Sequence, residues 1–520
     1  MAGSRINVKK GSRSKLAKPR VECSFSLFME SLKHFELGEP FPNSPHAVAS
    51  NLPTMADVCG YEEKDPRVMR ALASGYPRFV VHEYIRRLLE HFFQQHHLKG
   101  RFGVLVPSKR AMRDLVEPFG ALVAVLEVAT DIFLLHCDLA DEPLSNRLRK
   151  HLQHKGYGLS SRQAEDLLVE VVGGVDRFQE ESYQGNALNA LETGTANLAG
   201  CGAKDVLLCA SGMSAFYAAF RSVQEFQRSR RRSKWLQLGW LYLDSGCILK
   251  EFLYEDESLE YCYDVLDTER ILKEIYGAGD ELAAVVVECP TNPLAQVCEL
   301  ETISNAVSEC GGVLIIDPTI ASIYSTKYLA YADLLVTSLT KYAAYQGDVM
   351  AGALFVNPNS KFYGDLIART SHFYAPLYLR DAARLAIEMR GAPPVIRKMR
   401  VNATALAQFL SEHDAVKKVW FAKAEGEDEL VSAIITIELK GSLSSFYDKI
   451  SVVKGPSFGT FFTLLSPFMY LAHYDLVTAE AGRGFLEEVG LNPELIRISV
   501  GAEPLDQLLQ ILDQALRCEA

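Results

Sequence analysis

Between residues 206 and 356, short apolar runs rich in β-branched residues alternate with stretches of helical spacing. The runs fall at 206–209, 236–243, 284–288, 313–316, 334–336 and 353–356. Runs this short and this continuously apolar suit strands covered on both faces, and their alternation with helical segments predicts βαβ units and a mostly parallel sheet. Beyond about residue 390 the pattern changes. Strands are expected at 430–439, 459–465 and 496–500, and a helix at 505–516, which makes a smaller α+β unit. Upstream, the spacing predicts a helix over 81–93 and a strand at 102–106, with Ser160 or Ser161 capping a helix that includes 163–169.

The organisation that follows has four parts: a basic disordered tail at 1–24, an N-terminal extension and start of the large unit at 25–175, the large unit at 176–390, and the small unit at 391–520. A chain of 520 residues that is 48% apolar supports more than one packed core. Its net charge of -11 argues against a general nucleic-acid binder. The longest apolar patch, 122–137, is interrupted by Glu127 and Asp131, so no uncharged span suits a membrane helix.

The eleven cysteines include no CxxC pair, which excludes a spaced zinc motif or a secreted disulfide framework and fits a reducing, cytoplasmic setting. His91, His96 and His97 do not share one helical face, so no metal site is expected. The first twenty residues are basic and free of acid, in keeping with a disordered tail or, alternatively, an organelle transit peptide. The basic run at 228–234 reads as a solvated helix end.

Three strand ends carry the chemistry. The run at 313–316 leads into Asp317, and the run at 334–336 leads to Ser338, Thr340 and Lys341. Ligands of open α/β sheets sit at the carboxyl ends of the strands, so a carboxylate and an amine delivered there can face one cofactor. The pair suits pyridoxal 5'-phosphate, with lysine as its covalent anchor and the acid holding the pyridine nitrogen protonated. The run at 206–209 opens through Ser211, Gly212 and Met213 into a helix, a turn whose unpaired amides suit a phosphate, although a plain Ser211 N-cap gives the same pattern. After the run at 284–288, two prolines flank Thr291 and Asn292, which fixes an amide able to meet the cofactor's phenolic oxygen.

The segments ECPTNPL, IIDPTIAS, ADLLVTSLTKY and QGDVMAGALFVNP, with SGMSA upstream and LIRISVGAEPLDQLLQILDQAL at the end, resemble the Cys/Met-metabolism family of pyridoxal-phosphate enzymes. In the N-terminal half, NSPHAVASNLPTMADVCGYEEKDPRVMRALASGYPRFVVH and GYGLSSRQAE resemble its long, fungal-type cystathionine gamma-synthases. The resemblance implies a fold-type I transferase with a mostly parallel seven-stranded sheet in a large domain and a smaller C-terminal α+β domain. It makes Lys341 the Schiff-base lysine and Asp317 the pyridinium partner. It puts Ser211, Gly212, Met213, Ser338 and Thr340 at the phosphate, Asn292 beside the ring oxygen, and Arg497 on the substrate α-carboxylate.

The implied reaction joins L-cysteine to an O-acylated homoserine to give cystathionine. The alternatives are an O-acylhomoserine sulfhydrylase, a γ- or β-lyase, or a catalytically weak regulatory relative. Small-molecule amino acids are the expected partners, in a homo-oligomer without nucleic acid or membrane. Two segments depart from the family pattern. Where the commoner members have a Tyr-Gly-Gly turn that stacks on the ring, 240–246 reads WLYLDSG, which makes Tyr242 the stacking residue. Where they have a Tyr-x-Arg clamp on a neighbouring subunit's phosphate, 181–187 reads ESYQGNA, with Arg177 or Tyr183 as substitutes.

Overall fold

The computed structural model describes residues 30–72, 80–174, 176–423 and 429–517, so the tail expected at 1–24 lies outside the described residues. Strands β1 (Pro40–Phe41) and β2 (Ala49–Ser50) form a small antiparallel pair. Strands β3 (Arg101–Val106), β4 (Ala124–Ala129) and β5 (Ile132–Asp138) make an antiparallel sheet in the order β3-β5-β4. Only β3 was legible in sequence, because β4 and β5 merge into the one apolar stretch 122–137, and the turn dividing them rests on Asp131 at φ 56°.

The large sheet has seven strands: β6 (Val206–Cys209), β7 (Lys234–Leu238), β8 (Ser258–Cys262), β9 (Leu282–Glu288), β10 (Val313–Asp317), β11 (Leu334–Ser338) and β12 (Gly352–Val356). Their order is β6-β12-β11-β10-β9-β7-β8, and every neighbouring pair is parallel except the two that involve β12. This is the expected mostly parallel sheet with six of its strands foreseen. The run expected at 236–243 stops at Leu238, because Gly239 takes φ +67° and turns the chain out of the ladder. Strand β8, with the sequence SLEYC, lies at the sheet edge with its polar residues outward, and alternates too weakly to be read beforehand.

The C-terminal sheet comprises β13 (Val416–Lys423), β14 (Leu430–Leu439), β15 (Val453–Lys454), β16 (Leu464–Pro467) and β17 (Ile496–Ser499), in the order β13-β14-β17-β16-β15. The strand expected at 459–465 is only β16. Residues ahead of it bond elsewhere: Gly459 C=O accepts from Tyr342 N at 2.8 Å, and Phe461 N donates to Tyr345 C=O at 2.8 Å. The apolar Phe461 and Phe462 are therefore fastened to the turn that follows Lys341.

Helix Leu379–Glu412 joins the two units. Its Ala382, Leu385 and Ala386 sit in the core beneath the large sheet, whereas Met399, Ala403, Leu406 and Leu410 sit in the core of the C-terminal sheet. Residues from Phe35 to Leu72 pack into that second core as well, which carries the N-terminal extension across the molecule. Among the described residues no helix is long and apolar enough to cross a membrane.

A buried ionic knot secures the extension at its other end. Helix Ser161–Val171 presents Arg162, which is 0% exposed. Arg162 donates to both carboxylate oxygens of Glu180 at 2.8 and 2.6 Å, to the Asp348 carbonyl at 2.7 Å and to Asp381 at 3.2 Å. Removing one partner of such a network strands buried charge, so Arg162→Ala is expected to lower stability by about 3–5 kcal/mol. A clear drop in melting temperature is the check, and an unchanged value would show that water replaces the arginine.

Candidate active site

One cavity of about 280 Å³ opens at the carboxyl ends of β9, β10 and β11. Its walls include all ten residues singled out from sequence: Ser211, Gly212, Met213, Tyr242, Asn292, Asp317, Ser338, Thr340, Lys341 and Arg497. The sheet register explains the convergence. Asp317 and Glu288 are paired at the ends of β10 and β9, and Ser338 at the end of β11 is paired with Gly352 of β12.

Lys341 is half-buried, and its amine donates to Ser457 Oγ at 2.8 Å. Burial, assisted by the Arg497 guanidinium, holds the amine well below the ordinary lysine range. Arg497 leaves β17 toward the same place. It donates to Asn292 Oδ1 at 3.1 Å and to the Ser457 carbonyl at 2.9 Å, while its Nε is buried without a hydrogen-bond partner. Burial lowers its pKa to about 10, which still leaves it cationic at neutral pH. The rings of Phe458 and Phe468 lie 5.0 and 5.2 Å from the guanidinium and keep water from its faces.

Burial raises Asp317 to about 6, opposed by the hydroxyl and amide of Thr319, which donate to Oδ1 at 2.5 and 2.9 Å. It therefore remains ionised at neutral pH. Glu288 beside it is driven well above the carboxylate range by burial and then by Asp317, and it accepts the Tyr242 amide. The two acids thus divide their roles, one charged and one favouring its neutral form.

Ser211 caps helix Gly212–Ser229, its Oγ accepting from Ser214 N at 3.0 Å. The cap leaves the Gly212 and Met213 amides at the helix start without intrahelical acceptors, so a Ser211 cap is compatible with an anion at this turn. A Cβ on Gly212 would lie 2.9 Å from Ser338 Cβ, so only glycine allows this close approach. Thr340 departs from expectation. Its hydroxyl donates to the Ala351 carbonyl at 3.2 Å and accepts from Ala351 N at 3.0 Å, which commits it to holding the backbone.

In the 240–246 segment, Trp240 turns away to pack on Tyr263 and His473, with ring centroids 5.0 Å distant in each case, and Tyr242 faces the cavity. The 181–187 segment does not line this cavity. Tyr183 accepts from Arg390 at 2.9 Å, and Arg177 pairs with Asp166 at 2.8 Å. The cavity mouth is instead finished by Tyr61, Glu62 and Lys64 of the N-terminal extension.

Sequence reasoning missed Thr319, Glu288 and Ser457. Thr319 stands two residues after Asp317, where a backbone amide commonly closes an Asx turn onto the aspartate, and that signal was available. Ser457 lies in a loop with no motif of its own.

The donor set fits a pyridoxal phosphate: helix-start amides for an anion, an ionised acid at a strand end, an amide, and an amine of depressed basicity. The unpartnered Arg497 Nε is a further donor suited to a substrate carboxylate. Fold and site together define a pyridoxal-phosphate-dependent enzyme. The chain belongs to the Cys/Met metabolism PLP-dependent enzyme family, whose model matches residues 177–517.

A relative from Streptantibioticus cattleyicolor, an L-2-amino-4-chloropent-4-enoate dechlorinase/desaturase, is 32% identical over 92% of this chain and 97% of its own. The Neurospora crassa cystathionine gamma-synthase is 25% identical over 93% and 98%. Among solved structures, the cystathionine gamma synthase from Xanthomonas oryzae pv. oryzae in complex with cystathionine superposes with a TM-score of 0.53 at 22% identity. It covers 66% of this chain and 89% of that one, a likeness of fold.

Proposed function

We propose that the enzyme removes a leaving group from the γ-carbon of an L-2-amino acid and replaces it with the thiol of L-cysteine, forming cystathionine from an O-acylhomoserine. One observation carries this reading: Lys341 and Arg497 both bond Ser457, the amine to its hydroxyl and the guanidinium to its carbonyl. A 2-amino acid whose carboxylate is gripped by Arg497 therefore presents its Cα and Cβ to the lysine amine.

In this reading Gly212, Met213 and Ser338 hold the cofactor phosphate, Asp317 its ring nitrogen and Tyr242 its face. Asn292, whose Oδ1 already accepts from Arg497, donates its amide to the phenolic oxygen. When bound, the cofactor supplies an electron sink that acidifies Cα and Cβ. The depressed basicity of Lys341 suits its Nζ to move protons at both carbons, removing one from Cα and one from Cβ before the γ-bond breaks and returning them after the thiol has added at Cγ. The apolar rings of Phe458 and Phe468 exclude water while the γ-bond breaks, and the acyl group departs as its carboxylate.

A second reading, γ-elimination without an incoming thiol, is favoured by the higher identity to the dechlorinase/desaturase, whose named substrate carries chlorine at C4, the γ-carbon. Incubation with O-acetyl-, O-succinyl- or O-phosphohomoserine, with and without cysteine, separates the two. Cystathionine formed only when cysteine is present supports replacement, whereas a keto acid formed at the same rate without cysteine supports elimination. The family likeness also leads us to propose a homo-oligomer, which light scattering of the purified protein tests.

A further inference from the structure

No metal motif is legible in the sequence, yet the fold gathers a mixed nitrogen, sulfur and oxygen donor set beside the active cavity. Helix Glu142–Lys155 contributes His154, and helix Leu243–Glu251 contributes Cys247 and Glu251. The last two are spaced i, i+4 and so share one helical face. One donor atom from each of the three residues lies within 4.8 Å of the others. From this arrangement we propose a binding site for a zinc-class divalent cation, ligated by His154 Nε2, Cys247 Sγ and Glu251, with a fourth position open to water.

The histidine is prepared for that role. The residue is 4% exposed, and its Nδ1 lies 3.2 Å from Asp244 Oδ1. A proton on Nδ1, given to that fully buried carboxylate, leaves the lone pair on Nε2. The carboxylate–histidine pairing is the one that orients most metal-bound imidazoles. Nε2 itself has no hydrogen-bond partner and stands 3.5 Å from Glu251 Oε2.

Zinc bonds of about 2.0–2.3 Å in a tetrahedron separate neighbouring donors by about 3.3–3.7 Å. The histidine–glutamate edge already has that length, and the half-exposed Cys247 and Glu251 are free to close the remaining gap by small rotamer adjustments. Borderline-soft zinc suits this set better than a hard cation such as magnesium, which prefers oxygen throughout.

Charge complementarity supports the same assignment. One thiolate and one carboxylate neutralise a dication, with Asp244 adding a negative charge behind the histidine. Ligation takes the cysteine as its thiolate, so the thiol proton passes to solvent as the sulfur–metal bond forms.

Occupancy would also reach the active cavity. Gln153, which lines it, donates to Asp244 Oδ1 at 2.8 Å, and the helix bearing Cys247 and Glu251 begins directly after Tyr242. A bound cation therefore ties the N-terminal extension to the helix that follows the ring-facing tyrosine.

The test is titration calorimetry of zinc chloride into chelator-dialysed holoenzyme, in two buffers of different ionisation heat. The expected result is one site per chain with release of about one proton. Affinity should fall at least tenfold in Cys247→Ser and in Glu251→Gln, both checked for unchanged circular dichroism. Absence of a stoichiometric site, equal affinity in both variants, or equally tight binding of magnesium would overturn the proposal.

Discussion

Purified Lys341→Ala is expected to show no measurable turnover and to lack the visible absorbance of a lysine-bound pyridoxal cofactor. Two independent losses combine. The covalent anchor disappears, and so does the amine that bonds Ser457 in the cavity wall. Proton transfer by a positioned base alone accounts for about 10²–10⁴ in rate. The environment lowers the basicity of this amine well below the ordinary lysine range, because burial and then Arg497 disfavour its cation. A variant that retains the absorbance band would remove Lys341 from the site, whatever its residual rate.

The second large effect concerns Arg497. It is 5% exposed, cationic, and bonded on two sides by Asn292 and Ser457, so its position is fixed before substrate arrives. A charge-assisted hydrogen bond contributes about 1.5–3 kcal/mol, so Arg497→Ala should raise the KM for the amino-acid substrate by about 10- to 150-fold. Arg497→Lys keeps the charge but loses the planar fork, and should recover little of that loss. Because Asn292 would lose its partner too, a modest weakening of cofactor binding is expected alongside. A KM unchanged in both variants would show that another residue holds the carboxylate.

The residues we assign to the cofactor were legible because each stands within a few positions of a strand end, where local pattern and βαβ topology suffice. Asp317 ends β10, Asn292 follows β9 by four residues, and Lys341 follows β11 by three. The choice of the residue proposed to face the ring needed the third dimension. Trp240 and Tyr242 are equivalent in sequence, and only the turn at Gly239 decides that the tryptophan packs on Tyr263 while the tyrosine lines the cavity.

Contributions from far along the chain were hidden altogether. Ser457 reaches Lys341 across 116 positions, and Tyr61, Glu62 and Lys64 reach the cavity mouth because residues 35–72 pack into the C-terminal core. No periodicity in either segment encodes that docking. The pattern at 459–465 predicts a strand, but ahead of β16 the backbone of Gly459 and Phe461 bonds the turn after Lys341 instead of a ladder.

The position of the leaving group is the central claim, and paired esters of serine and homoserine test it most directly. With O-acetylserine and O-acetylhomoserine offered separately in the presence of cysteine, acetate release should be rapid from the homoserine ester and at least tenfold slower from the serine ester. Equal or faster release from the serine ester would place the chemistry at the β-carbon and contradict the account.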